Sequence, residues 1–147
     1  PDGTIYHAGK PRAANGGIGF PHIDYRGYIP TIKAPLEMEN TNGASILVRR
    51  EAFYDIGGFD ERFKFYCEDD TLCMEMRKAG WSIWYTPHAT AVHAEHQETK
   101  KLPNMMQIMA QSNALFGQLW SGYFAHNRNN KGLGTFDYLV DSNVRKA

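Results

Sequence analysis

The sequence predicts an α/β fold, and three observations carry that expectation. An amphipathic helical frame runs from Glu68 to Ala79 and closes at Gly80. β-Favouring runs flank it at Ala44–Arg49, Trp81–Thr86 and Ala89–His93. A second long helical stripe extends from Pro103 to about His126. The 147 residues suffice for one domain with a real core and are too few for two. Hydrophobic residues at 42% and aromatics at 13% fit a folded globule and argue against disorder. Sixteen basic and sixteen acidic residues cancel, so there is no basic field to hold nucleic acid or an anionic membrane. No apolar run approaches the roughly 20 residues that span a bilayer, and PDGTIYHAGK lacks the pattern of a signal peptide. Cys67 and Cys73 lie on different sides of a helix start, so unbridged thiols in a reducing, cytoplasmic compartment are expected.

Taken in order, Asp2-Gly3 signals a turn and Thr4–Ala8 a strand, so the chain opens as a hairpin. From Gly9 to Gly43 the text is rich in Gly, Pro and Asn without a sustained period, and reads as a long loop with short strand fragments around Tyr28-Ile29. Loops of that length in compact domains are binding loops, lids or disordered segments. Gly16-Gly17-Ile18-Gly19 has neither the lysine nor the strand-to-helix setting of a phosphate loop. Asn42-Gly43 turns into Ala44–Arg49, expected as a short buried strand. Arg50–Ile56 can make two helical turns, capped by Gly57. Leu72, Met76 and Ala79 form the inner stripe of the next helix, whose first turn carries Glu68, Asp69, Asp70 and Thr71. Trp81–Thr86 carries aromatics on both faces, which predicts burial on both sides. Pro103 suits a first helical turn, and Met106, Met109, Ala110, Asn113, Phe116, Leu119 and Trp120 form a broad stripe, read as core. After His126 a polar Asn/Gly loop precedes Phe136–Val140, a short docking element or an arm for a partner.

Three adjacent acids repel one another and need a reason. One account is helix capping at a solvated end; the other is that one carboxylate acts as general base toward a hydroxyl. His93 follows a strand-like run and reads as structural or as a metal ligand. His93-Ala94-Glu95-His96 is not HExxH, which leaves a metal-dependent hydrolase using His93, Glu95 and His96 as the remotest reading.

The order and spacing of NGASILVRREAF, GGFDERF, YCEDDTLCMEMRKAGW, PHATAVH and NALFGQLW resemble the second half of family 2 glycosyltransferases of the GT-A fold. Bacterial members that add rhamnose and other sugars to surface polysaccharides are the most similar. The resemblance implies a partial GT-A-type, Rossmann-like mixed sheet with flanking helices that lacks the N-terminal nucleotide-binding half, since no D-x-D occurs. It makes residues 1–126 the acceptor and catalytic half and 127–147 a tail or docking segment. It assigns Asp69 as the base with Glu68 as its partner, leaves Asp70 a bystander, and gives acceptor binding to Gly43, Ala44, Gly58, Phe59, Asp60 and Trp84. His93 becomes one ligand of a Mn²⁺ or Mg²⁺ shared with a donor-binding half. Gly57 and Gly58 also fit a purely geometric role. Where the family has Asp and Arg, this chain has Thr71 and Glu75, read as a surface pair replaced jointly. The implied activity is inverting transfer of a sugar from a nucleotide-sugar to a glycan acceptor, at the inner face of the membrane if not free in the cytoplasm. The exposed edge of a half-domain implies an oligomer or a complex. The alternative is a non-catalytic relative serving as a carbohydrate-binding or assembly module.

Overall fold

A helix of 11 residues, Glu68–Lys78 (α2), runs between two apolar clusters and belongs to both. The computed structural model describes residues 34–93, 103–129 and 133–136. Before α2 come strand β1 (Leu36–Met38), a 3-10 turn (Gly43–Ser45) and helix α1 (Arg50–Asp55). After it come strand β2 (Ile83–Tyr85) and helix α3 (Met105–His126). The result is mixed α/β.

Among the described residues the sheet is a two-stranded antiparallel pair, with Leu36 opposite Tyr85, Glu37 opposite Trp84 and Met38 opposite Ile83. The two-residue side-chain period puts Met38 and Ile83 into the core and Glu37 and Trp84 on the other face. Trp84 is 59% exposed, so burial of this strand on both faces is not met. β1 falls within the stretch expected as loop. Its three residues are too short a run for alternation to register, and pairing with β2 is what makes it a strand. The opening hairpin, Tyr28-Ile29, Gly16–Gly19, Glu95, His96 and Tyr138–Val140 lie outside the described residues.

Two expected strands take other forms. Residues 43–45 wind into the 3-10 turn, and Ile46 to Arg49 runs extended without joining the pair. Ile46 and Val48 still pack on the core while Leu47 points fully outward, so the alternation is real and the ladder is missing. Residues 89–93 are exposed and irregular. In both cases the β-favouring composition describes side chains, whereas a strand also needs a neighbour to take its backbone bonds.

The helices stand close to where they are expected. α1 is capped by Ile56, followed by Gly57 and Gly58 at φ +80° and +84°, and Gly80 at φ +91° turns the chain out of α2. Leu72, Cys73 and Met76 pack with Met38, Ala52 and Ile83, while Met74 faces Trp120 and Tyr123 from α3. Helix α2 is therefore buried on two sides. Ala79, expected on its inner stripe, is exposed. Cys67 and Cys73 form no disulfide.

A buried polar network ties these parts together. The carboxylate of Glu39, wholly buried after β1, lies 3.2 Å from the Arg77 guanidinium in the last turn of α2. The Tyr123 hydroxyl donates to Glu39 and accepts from Arg77 (2.7 Å). Residues 133–136 close the ring, because Gly134 N–H donates to Glu39 (3.1 Å) and Gly134 C=O accepts from Arg77 (2.5 Å). Asn127 adds a two-way bond to Thr135, its Oδ1 accepting at 2.8 Å and its Nδ2 donating at 2.9 Å. Phe136 then packs on Trp120 and Tyr123.

Removing one charge of a buried pair strands the other. Arg77→Met should therefore cost about 3–5 kcal/mol in urea unfolding, and Glu39→Leu combined with Arg77→Met should cost less than the two single changes summed. Burial first, and Glu39 second, raise the Tyr123 phenol well above its ordinary value, with Arg77 opposing. A phenol held neutral in the fold contributes fully below the ordinary tyrosine pKa of about 10 and loses that contribution as pH rises. Stability against unfolding should accordingly fall off more steeply above about pH 10 for the wild type than for Tyr123→Phe.

Candidate functional site

The acids open α2 behind an uncommon turn. Tyr66 and Cys67 both adopt left-handed backbone, at φ +64° and +62°, a region that non-glycine residues seldom occupy and that costs of order 1–3 kcal/mol each. Helix α3 holds this turn in place. The Ser112 hydroxyl donates to the Phe65 carbonyl (2.5 Å), and the Cys67 thiol donates to Asn113 Oδ1 (3.4 Å). The double left-handed turn reverses the chain so that Glu68, Asp69 and Asp70 enter the first helical turn together, where free amides favour negative charge.

Asp69 carries the most informative geometry. Its Oδ1 accepts from the Asp70 N–H and its Oδ2 from the Gly43 N–H, both at 2.8 Å. The capping account is thus partly right, since one bond serves the helix end. The other bond reaches 26 residues back and brings Gly43 to Asp69, two positions that the same resemblance singles out in the sequence. A Cβ built on Gly43 would stand 3.1 Å from the Asp69 Cβ, so the missing side chain is what permits the approach. Ala44, beside it, donates its N–H to Asn42 Oδ1 (2.8 Å). Glu68 is half-buried next to Asp69. Asp70 is buried, and its carbonyl accepts from the Asn40 side chain at 3.1 Å.

The other predicted positions have contacts of their own. Gly58 has the Phe53 ring 3.2 Å from where its Cβ would be, and Phe59 packs edge-on to the same ring at 5.7 Å. Asp60 is gripped by the Arg62 side chain at 2.6–3.1 Å, which holds its carboxyl below the usual range against slight burial. Trp84 donates its indole N–H to Ser82 Oγ (2.8 Å) and leaves its ring exposed on β2. His93 is exposed in the irregular segment that follows.

One expectation needs correction. Thr71 is buried, and its hydroxyl has no hydrogen-bond partner among the described residues, while Glu75 pairs with Lys78 at 3.3 Å, so Thr71 and Glu75 are not a surface pair. Among the described residues, no group of three or more His, Cys, Asp or Glu side chains forms a metal cage. The expected ion is one shared with a donor-binding half, to which this chain would supply His93 alone, and such a site needs no group of this kind among the described residues.

Sequence reasoning missed Asn40, Glu39, Ser112 and Tyr123, and it read Asn113 as part of an apolar stripe. The available signal was an Asn inside that stripe and an Asn directly after a short apolar alternation, since polar residues in apolar frames are bonded to something specific.

The chain has relatives of known name. Over 62 residues, 42% of this chain and 20% of the relative, it is 44% identical to the N-acetylglucosaminyl-diphospho-decaprenol L-rhamnosyltransferase of Mycobacterium tuberculosis. It is 36% identical over 58 residues to the rhamnosyltransferase WbbL of Escherichia coli, covering 40% of this chain and 22% of WbbL. Over these stretches the chain is similar to rhamnosyltransferases. A longer match, 31% over 100 residues, reaches the O-antigen biosynthesis protein RfbC of Myxococcus xanthus and covers 65% of this chain and 8% of that one. The chain thus spans about a fifth or less of the length of these relatives. No protein-family model and no solved structure matches it. Among the described residues, no helix is long and apolar enough to cross a membrane.

The two adjacent glycines separate backbone strain from crowding. A side chain at Gly57 meets nothing within 4 Å, whereas one at Gly58 meets Phe53. Gly57→Ala should cost about 1 kcal/mol and Gly58→Ala roughly 1 kcal/mol more, measured by thermal or urea unfolding.

Proposed function

We propose that this chain is the acceptor side of an inverting glycosyltransferase of the GT-A type, with Asp69 as the general base. The observation that carries the reading is the Asp69 carboxylate, held by backbone N–H groups on both oxygens at the start of α2 within the rhamnosyltransferase-like motif array. In the reaction, Asp69 takes the proton of an acceptor hydroxyl as that oxygen bonds to the anomeric carbon. The bond from that carbon to the nucleoside diphosphate breaks, and the electron pair leaves with the diphosphate. One displacement inverts the anomeric centre. Glu68 supports the base, and Gly58, Phe59, Asp60 and Trp84 border the acceptor.

The rings of Trp84, Phe59 and Tyr54, 59%, 47% and 72% exposed, offer flat faces of the kind on which sugar rings stack. The names of the relatives suggest an activated L-rhamnose as donor and an acceptor glycan carried on a polyprenyl diphosphate. Mn²⁺ or Mg²⁺ enters this proposal only as an ion shared with residues outside this chain, with His93 as the local ligand. Such an ion would neutralise charge on the departing diphosphate. The donor-binding half is supplied by residues beyond this stretch or by a partner, in the cytoplasm or at the inner membrane face. Fully exposed Leu47 in an extended segment, with Leu36 48% exposed nearby in sequence, suits such an assembly.

The exposed aromatics also favour a second reading, a carbohydrate-binding module without catalysis. The two separate cleanly. In a transfer assay with nucleotide-sugars and Mn²⁺, using the chain joined to a donor-binding half, Asp69→Asn should lower kcat by about 100-fold or more while glycan binding persists. Full activity in Asp69→Asn would remove Asp69 from the role of base. Glycan binding by a chain that never transfers, and that is lost on Trp84→Ala, would favour the binding module.

A further inference from the structure

The segment Asn40–Gly43 does no chemistry of its own, yet its polar groups converge on the first turn of α2. Asn40 is wholly buried, and both ends of its amide are engaged: Nδ2 donates to the Asp70 carbonyl (3.1 Å), and Oδ1 accepts from the Thr41 N–H (2.7 Å). Asn42 sits in extended backbone (φ −94°, ψ 136°) and caps the 3-10 turn by accepting the Ala44 N–H. The first amide of a short helix has no partner inside it, and here that amide is Gly43's, delivered at 2.8 Å to Asp69 Oδ2. The close approach of the Gly43 backbone to Asp69 would put a Cβ at Gly43 3.1 Å from the Asp69 Cβ, so a side chain there requires a shift of a few tenths of an ångström.

We infer that Asn40, Asn42 and Gly43 are positioning residues that fix the orientation of the Asp69 carboxylate, and that Gly43 serves the site through Asp69 rather than by touching the acceptor. The inference rests on the reading of Asp69 as the base. A carboxylate on a helix surface can turn about two side-chain bonds. With the Asp70 N–H on one oxygen and the Gly43 N–H on the other, the plane of the group is set by backbone on both sides. A base held in this way meets the acceptor hydroxyl without first being ordered, which is where misplacement by about 1 Å costs about 100-fold in rate.

Two measurements test the inference, and the first needs no activity. By amide hydrogen exchange on the chain, Gly43 should exchange about tenfold faster in Asp69→Ala than in the wild type, while Ala44, bonded to Asn42, changes by less than about twofold. Equal exchange at Gly43 in the two proteins overturns the inference whatever the chain catalyses. The second measurement is kinetic. Asn42 already has the backbone required before a proline, and the first helical position accepts one, so Gly43→Pro removes the N–H with the turn retained. Gly43→Ala adds the crowding but keeps the N–H.

In the transfer assay, Gly43→Pro should lower kcat by about 100-fold, more than Gly43→Ala, with KM for the acceptor within about twofold. A rise in KM at unchanged kcat would put Gly43 on the acceptor and overturn the inference. Should Gly43→Pro not fold, Asn42→Ala should lower kcat in the same direction and Asn42→Asp, which keeps the accepting oxygen, should restore it; equal kcat in all three overturns the inference. An active Asp69→Asn would instead defeat the reading of the base, leaving the exchange result to stand by itself.

Discussion

The buried Glu39–Arg77 pair is the constraint on which the rest of this structure depends. Two charges taken out of water would be a heavy liability if any of their groups lacked partners. Here the Tyr123 hydroxyl and both backbone groups of Gly134 complete the set, so the network is satisfied from four separate parts of the chain. Each part is thereby registered against the last turn of α2. Helix α3 cannot slide without withdrawing Tyr123, and the segment around Gly134 cannot lift without exposing Arg77. The apolar contacts of Met74, Trp120, Tyr123 and Phe136 add area to the same junction but would tolerate a shift that the hydrogen bonds would not.

The chain from Glu39 onward carries that registration to the other end of the helix. Glu39 grips α2 at Arg77, and the next residue, Asn40, grips it at Asp70 in the first turn. Consecutive residues thus clamp a helix at both ends, and the 3-10 turn three residues later inherits a fixed position beside Asp69. On the opposite side, α3 supplies Ser112 and Asn113 to hold the left-handed turn at Tyr66 and Cys67. The local cost of that turn is offset by packing and bonds elsewhere. Its effect is to deliver three acidic residues into one helical turn, of which one is oriented, one is buried and one lies between the turn and the oriented carboxylate.

How much of this was legible depended on whether the signal was local. The frame of α2 showed in Leu72 and Met76 and in Gly80, whose left-handed backbone is a property of a few residues. Helix α3 showed in a 22-residue stripe that begins close to Pro103. The acids at 68–70 stood out as a cluster, and family resemblance selected Asp69 among them, the one whose carboxylate is held from a distance. Strand assignments fared worse, because Ile46–Val48 and Val92 have the side chains of strands and among the described residues no strand partner. The clamp itself was invisible. Glu39 and Asn40 sit in text that reads as loop, and nothing local says that one meets Arg77 and the other Asp70, each more than 25 positions away. Thr71 was misjudged for the same reason, since burial of the first turn follows from tertiary packing.

On the proposed reading, the relatives suggest the chemistry and the geometry supplies one oriented carboxylate, which would act once, on an acceptor hydroxyl, in a single displacement. The stereochemistry of the first product tests this most directly. Proton NMR of the glycan formed from a nucleotide-activated sugar of known anomeric configuration, by this chain together with a donor-binding half, should show that configuration inverted from the first turnover. Retained configuration would require either a second displacement through a nucleophile or attack from the face of the leaving group, and would contradict the single in-line displacement proposed with Asp69 as general base.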